Sequence, residues 1–296
     1  MSRAPADPLE TLGRDHPEFR PWLRLLEAAR AEIDNPEHAG ALPEPPPGKD
    51  GVPRLDGATF AISRRSADRW VRGLLAVAAD AGAPASLSRA ARAPSLDALA
   101  TIEAALAADG ERLDALADTA GAERAAFAPV AAVAAMPLLQ ACARRWSAGV
   151  AADWDHGYCP ICGAWPALAE ARGLERERRL RCARCGGDWR TEWLRCPFCR
   201  NRDHLRLGAL APEGTRETRK AETCADCRRY VKTVTTLRAT PPAEVAIQDL
   251  ATVDLDVGAI AHGYGTAQGL GYPVRARVTV RSRWARPGAP WAAWAR

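Results

Sequence analysis

Tyr158-Cys159-Pro160-Ile161-Cys162-Gly163 opens the part of the chain that decides the fold, because its gap of two residues between cysteines returns three more times. The other pairs are Cys182 with Cys185, Cys196 with Cys199, and Cys224 with Cys227. Nine cysteines scattered at random would give fewer than about one such pair, so four are a selected pattern. A two-residue gap lets one tight turn aim both sulfurs at a single ion, and two turns complete a tetrahedral site of four thiolates. Taken in chain order the spacing is C-x2-C-x19-C-x2-C for the first four, inside the usual zinc-site range, and C-x2-C-x24-C-x2-C for the second four. It leaves an interleaved pairing open.

The four turns are not equivalent. Cys162 and Cys185 are each followed by glycine, which adopts positive φ freely, whereas Arg200 and Arg228 stand at the corresponding places of the second set. The first site is therefore expected to be the better formed, and the second to carry backbone strain or a looser turn and to hold metal less firmly. From residue 153 to residue 238 there are 18 Lys and Arg against 12 Asp and Glu. Two divalent ions in four-thiolate cages would reduce that surplus, so Arg181, Arg184, Arg195 and Arg228 are expected to offset thiolate charge. Disulfides do not suit a chain expected to stay in a reducing compartment. A thioredoxin-like dithiol needs a strand-to-helix turn in an alternating α/β pattern, which this region lacks. Four thiolates suit zinc and iron alike, with the sequence by itself favouring zinc, and either ion would supply on the order of 10 kcal/mol of folding energy per site.

Away from the cysteines the pattern is helical. Apolar residues at helical spacing predict helices over residues 17–34, 66–81 with Ser66 as amino-terminal cap, 95–108, 111–118 and 123–150, the last kinked at Pro129 and Pro137. The proline-rich stretch 41–53 reads as a loop. Residues 125–143 are apolar but alanine-rich and short of the roughly 20 residues a membrane span requires, so they read as a buried helix. Beyond Trp154 helical periodicity fades. Short β-prone pieces at 188–194 and 230–237 fit ribbons between metal-binding turns, with no long sheet predictable. The expected organisation is an all-helical domain over 1–153, a domain with two rubredoxin-like or zinc-ribbon four-cysteine modules over 154–280, and a loose tail over 281–296.

A formal net charge of +5 rests almost wholly on arginine, lysine appearing only at Lys49, Lys220 and Lys232. Alanine and arginine are abundant together throughout, a compositional bias and not a clustered nucleic-acid face. The first ten residues contain Asp7, Glu10 and two prolines, with no basic start before an apolar run, so a cytoplasmic chain without a secretory signal is expected. Cys142, in the apolar stretch, reads as a core residue, and His156 and His204 as surface histidines. Asp249, Asp254 and Asp256 read as helix capping and solvated surface, and Gly263, Gly265, Gly269 and Gly271 match no phosphate loop. No catalytic set is recognisable.

The four motifs, Tyr158 to Gly163, Arg181-Cys182-Ala183-Arg184-Cys185, Arg195-Cys196-Pro197-Phe198-Cys199 and Thr223-Cys224-Ala225-Asp226-Cys227, followed by Asp249-Leu250-Ala251-Thr252, resemble the FdhE family of formate dehydrogenase accessory proteins. The resemblance covers most of the chain and is specific mainly over 158–252. It departs at Val257, Gly258 and Ala259, where the family tends to continue a longer polar helix, and in the tryptophan-rich tail. It implies a cytoplasmic protein, not itself an enzyme, that contacts the molybdenum-containing catalytic subunit of formate dehydrogenase. It also implies two rubredoxin-like iron sites held by Cys159, Cys162, Cys182, Cys185, Cys196, Cys199, Cys224 and Cys227, with zinc as the alternative metal. A nucleic-acid-binding zinc ribbon and a dithiol redox protein are the rival readings.

Overall fold

The structure, a computed structural model, describes residues 7–44 and 48–281. The tail expected over 281–296 falls outside the described residues from 282 onward, as do residues 1–6 of the leader reading and 45–47 of the proline-rich loop.

The amino-terminal half is helical: α1 (Pro8–Asp15), α2 (Arg20–Glu32), α3 (Pro36–Ala39), then a short strand β1 (Thr59–Ile62), α4 (Arg64–Asp80), α5 (Ser86–Arg92), α6 (Ala98–Ala107), α7 (Gly110–Ala120) and α8 (Arg124–Trp146). Asp7, Ser63, Asp97 and Asp109 each offer a side-chain oxygen to an amide of the first turn of α1, α4, α6 and α7. The cap of α4 is Ser63, whose hydroxyl accepts from the Ser66 amide, so the helix starts earlier than the expected Ser66 cap. Helix α8 is the centre of the half. It runs through both prolines, is buried along most of its length, and packs against α2, α4, α6 and α7. By length and composition it alone among the described residues would cross a membrane, but it is mostly inside the protein.

The carboxy-terminal half holds β2 (Leu168–Arg172), β3 (Glu177–Arg181), β4 (Asp188–Arg190), β5 (Leu207–Leu210), β6 (Arg219–Cys224) and β7 (Tyr230–Thr236), followed by α9 (Val245–Leu250), α10 (Val253–Ala261) and β8 (Arg277–Val280). Strands two to seven form one sheet in the order β4-β3-β2-β7-β6-β5. This is two antiparallel three-stranded ribbons joined where β2 pairs with β7 in parallel, Leu168 opposite Lys232. The two pieces expected as separate ribbons, at 188–194 and 230–237, contribute β4 and β7 to this one six-stranded sheet, which the sequence pattern does not predict. Its polar inward residues pair with one another: Glu170, fully buried, binds Arg181 at 2.5 Å, and Arg172 bridges Glu170 and Asp188.

The hydrophobic core does not stop at residue 153. Leu74, Phe127 and Leu139 of the helical half share one continuous cluster with Ile161, Leu180 and the cysteines of the first set. The last described strand, β8, returns to the helical half and pairs in parallel with β1, Phe60 opposite Val278.

Candidate metal centres

Each cysteine pair sits on the same turn. The amide of the first cysteine donates to the carbonyl five residues on, and the amide four residues on donates back to the first cysteine's carbonyl. Cys159 uses Ala164 and Gly163, Cys182 uses Gly187 and Gly186, Cys196 uses Asn201 and Arg200, and Cys224 uses Arg229 and Arg228, at 2.8–3.0 Å throughout. Closing this turn requires the residue after the second cysteine to take positive φ: +72° at Gly163, +71° at Gly186, +65° at Arg200 and +55° at Arg228. The second set therefore carries the strained alternative and not a looser turn.

The turns gather the sulfurs by neighbouring pairs. Those of Cys159, Cys162, Cys182 and Cys185 lie within 4.8 Å of one another, and so do those of Cys196, Cys199, Cys224 and Cys227. The cross-pair separations are 3.4 Å (Cys159 to Cys185) and 3.5 Å (Cys162 to Cys182), then 3.6 Å (Cys196 to Cys227) and 3.7 Å (Cys199 to Cys224). A disulfide needs about 2.05 Å. Four sulfurs about 2.3 Å from a central ion would stand roughly 3.8 Å apart, so both sets fit a tetrahedral metal.

Their surroundings differ. All four sulfurs of the first set are buried, whereas in the second Cys199 is exposed and Cys227 partly so. Gly187 explains part of the tight fit of the first set, since a Cβ there would stand 2.9 Å from the Cys159 sulfur. The Gly186-Gly187 doublet was a sequence signal for this, of which only the first glycine was read. Burial pushes the Cys159 thiol up, the neighbouring Cys159 does the same to Cys185, and Cys162, hydrogen-bonded by Cys159, is held low. In the second set burial raises Cys196 and takes Cys227 up to about 11. Burial also opposes ionisation of Cys224, but the amides of Cys227 and Asp226 outweigh it and hold that thiol low.

The arginines expected to offset thiolate charge are engaged elsewhere. Arg181 binds Glu170, Arg195 binds Asp155, Arg184 donates to the carbonyls of Ala105 and Leu106 at the end of α6, and Arg228 stacks on Tyr264. Among them Arg184 does lower Cys162 electrostatically. Asp249 and Asp256 are only partly solvated and are paired: both bind the ammonium of Lys232, which is 3% exposed, and Asp256 also accepts from the Tyr230 hydroxyl. This network ties α9 and α10 to β7. Burial accordingly raises the Asp249 carboxyl. Asp254 pairs at the surface with Arg219. Neither His156, stacked on Tyr158, nor exposed His204 joins a sulfur set, and Cys142 is buried in the helical core.

Fold and sulfur geometry define a class of protein: a helical amino-terminal region followed by two joined four-cysteine modules of zinc-ribbon type. Residues 194–269 match the family model described as FdhE, C-terminal domain. Over 113 residues the chain is 37% identical to the Protein FdhE homolog of Stutzerimonas stutzeri (strain A1501), a match covering 37% of this chain and 36% of that protein. Over 109 residues it is 31% identical to Protein FdhE of Escherichia coli O127:H6, covering 36% and 34%. The matched segment thus spans about a third of the length of these curated relatives. The crystal structure of the FdhE protein from Pseudomonas aeruginosa shares the fold, with a TM-score of 0.53 over 90% of this chain and 93% of that one at 24% identity. The chain is thus similar to FdhE proteins in sequence over about a third of its length, and to the solved FdhE structure in fold.

Proposed function

We propose that this chain is a cytoplasmic accessory protein, not an enzyme, that binds the catalytic subunit of a formate dehydrogenase and is required for that enzyme's maturation. The observation that carries the reading is the collection of eight sulfurs into two four-sulfur sets, in a chain whose second set lies in a segment matching the FdhE C-terminal domain. Cys159, Cys162, Cys182 and Cys185 ligate one ion and Cys196, Cys199, Cys224 and Cys227 the other. Iron is the metal we assign to both, with zinc as the alternative that the donor set accepts equally. Four protein thiolates fill the coordination of a tetrahedral ion and leave no open position for substrate, which favours a holding or sensing role over catalysis. The helical part, residues 1–153, and the metal part, 154–280, form the grip together, with 281–296 as a tail.

The test is complementation. In a bacterium deleted for its own copy, the wild-type chain restores formate dehydrogenase activity and co-purifies with the catalytic subunit, and the Cys159→Ala, Cys162→Ala variant does neither. Equal activity and equal capture with that variant would sink the proposal. Elemental analysis of protein purified without oxygen, with an absorption spectrum after air oxidation, separates the metals: two irons with thiolate charge-transfer bands, or two colourless zincs.

A further inference from the structure

Beside the second sulfur set, on the face of the sheet opposite α10, lies a cavity of about 280 Å³. Strand alternation places Lys220 and Glu222 of β6 and Val231 of β7 on this face, and turns Ala221 and Tyr230 toward α10. Arg178, Arg195, Arg216, Lys220 and Arg229 line it beside Cys196 and Cys224 of the second set, against the single carboxylate of Glu222. That carboxylate is already taken, 2.7 Å from Arg178 and 3.4 Å from Lys220. Arg216 and Arg229 have no carboxylate within 4.0 Å among the described residues, and the segments outside them contain no Asp or Glu. Arg178 is 2% exposed, yet its Nε has no hydrogen-bond partner. Even with a four-thiolate centre beside it and Arg195 held by Asp155, cations outnumber anions on this wall, which attracts an anionic group.

The shape indicates which kind. One wall is the backbone of β5, the outer strand of the sheet, which carries no charged side chain to discourage another strand from pairing. Leu194 and Leu205 stand exposed nearby. A nucleic acid would need an open aromatic face to stack on. Trp193, at the rim, is already engaged by the Lys220 ammonium 5.5 Å and the Arg178 guanidinium 5.9 Å from its ring centre.

We propose that β5 and this cavity together bind an extended acidic segment of a partner polypeptide. The segment adds, as a further strand, to the edge of β5 that no strand pairs among the described residues, and a carboxylate side chain enters the cavity to meet Arg216, Lys220 and Arg229. The inference rests on the accessory reading and names the surface by which the partner is held.

The test uses the full metal-loaded chain and a fluorescein-labelled, end-blocked octapeptide of alternating valine and glutamate, followed by anisotropy at low salt. The glutamine version of the peptide binds at least about tenfold more weakly, and a version N-methylated at alternate amides does not bind. Arg216→Gln combined with Lys220→Gln weakens the glutamate peptide about tenfold while both sulfur sets keep their metal. Equal binding of the glutamine peptide, unchanged binding by the double variant, or tighter binding of a single-stranded oligonucleotide of equal charge would each overturn the proposal. If the catalytic subunit is captured equally by the double variant, the β5 site falls and the accessory reading stands. If the peptide behaves as expected and the wild-type chain captures no catalytic subunit, the site stands and the identity of the partner falls.

Discussion

At Gly163 a Cβ would meet the Tyr272 carbonyl at 2.6 Å, on top of the backbone cost of φ +72°. Gly163→Ala is therefore expected to destabilise the first sulfur set by about 2–3 kcal/mol, seen as a lower urea midpoint of the metal-loaded protein. The arginines of the second set give the opposite experiment. Arg200 sits at φ +65° and contributes an exposed ion pair to Asp155, which Arg195 also holds. Such a pair is worth at most about 1 kcal/mol, and a left-handed non-glycine residue costs about 1–2 kcal/mol. Arg200→Gly thus slows metal loss from the second set to a chelator. Arg228→Gly speeds it, because Arg228 also stacks on Tyr264 and donates to the carbonyls of His262 and Gly263. The same change of residue at two matched turns differs in sign through what the side chain touches.

At the scale of the elements, the two ribbons are built alike and protected unequally. All four sulfurs of the first set are buried, while Cys199 and Cys227 of the second reach the surface. A chelator is expected to remove metal in two phases of equal size, and Cys199→Ser to abolish the fast one; a single phase in the wild-type chain would contradict this. The ligand turns were legible in the sequence because a two-residue gap between cysteines is a local constraint, α2 and α4 because they carry enough turns to show a period, and α8 because its apolar run is long. The sheet was not, for two reasons. Leu168-Ala169-Glu170-Ala171-Arg172 hides its polar residues in ion pairs, which erases the alternation expected of a strand, and the parallel joint of β2 to β7 links residues more than 60 apart. Helix α5, at seven residues, is too short to display a period. The pairing of Asp249 and Asp256 could not be seen until Lys232 was placed beneath them.

For the molecule as a whole, the first sulfur set is wired into the helical half. The Arg54 and Leu55 amides donate to the carbonyls of Pro160 and Ile161 within the first turn, and Arg184, within the second, holds the carbonyl end of α6. Removing metal from the first set is expected to accelerate amide hydrogen exchange at Arg54 and Leu55, and removing it from the second set alone to leave them protected. Equal protection in both states would mean that the helical half stands without its metal.

The pairing of β1 with β8 also sets an order in time. Phe60 leaves the ribosome with its strand edge unmatched, and Val278, its partner, is made more than 200 residues later. At roughly 5–20 residues per second that wait is on the order of 10–45 s. The first half to be synthesised is the last to be closed, and both cysteine sets emerge within the interval. A chain that terminates anywhere before residue 277 is left with an open edge at β1, so limited proteolysis of a chain ending at residue 276 is expected to cut near residues 59–62 sooner than in the full chain.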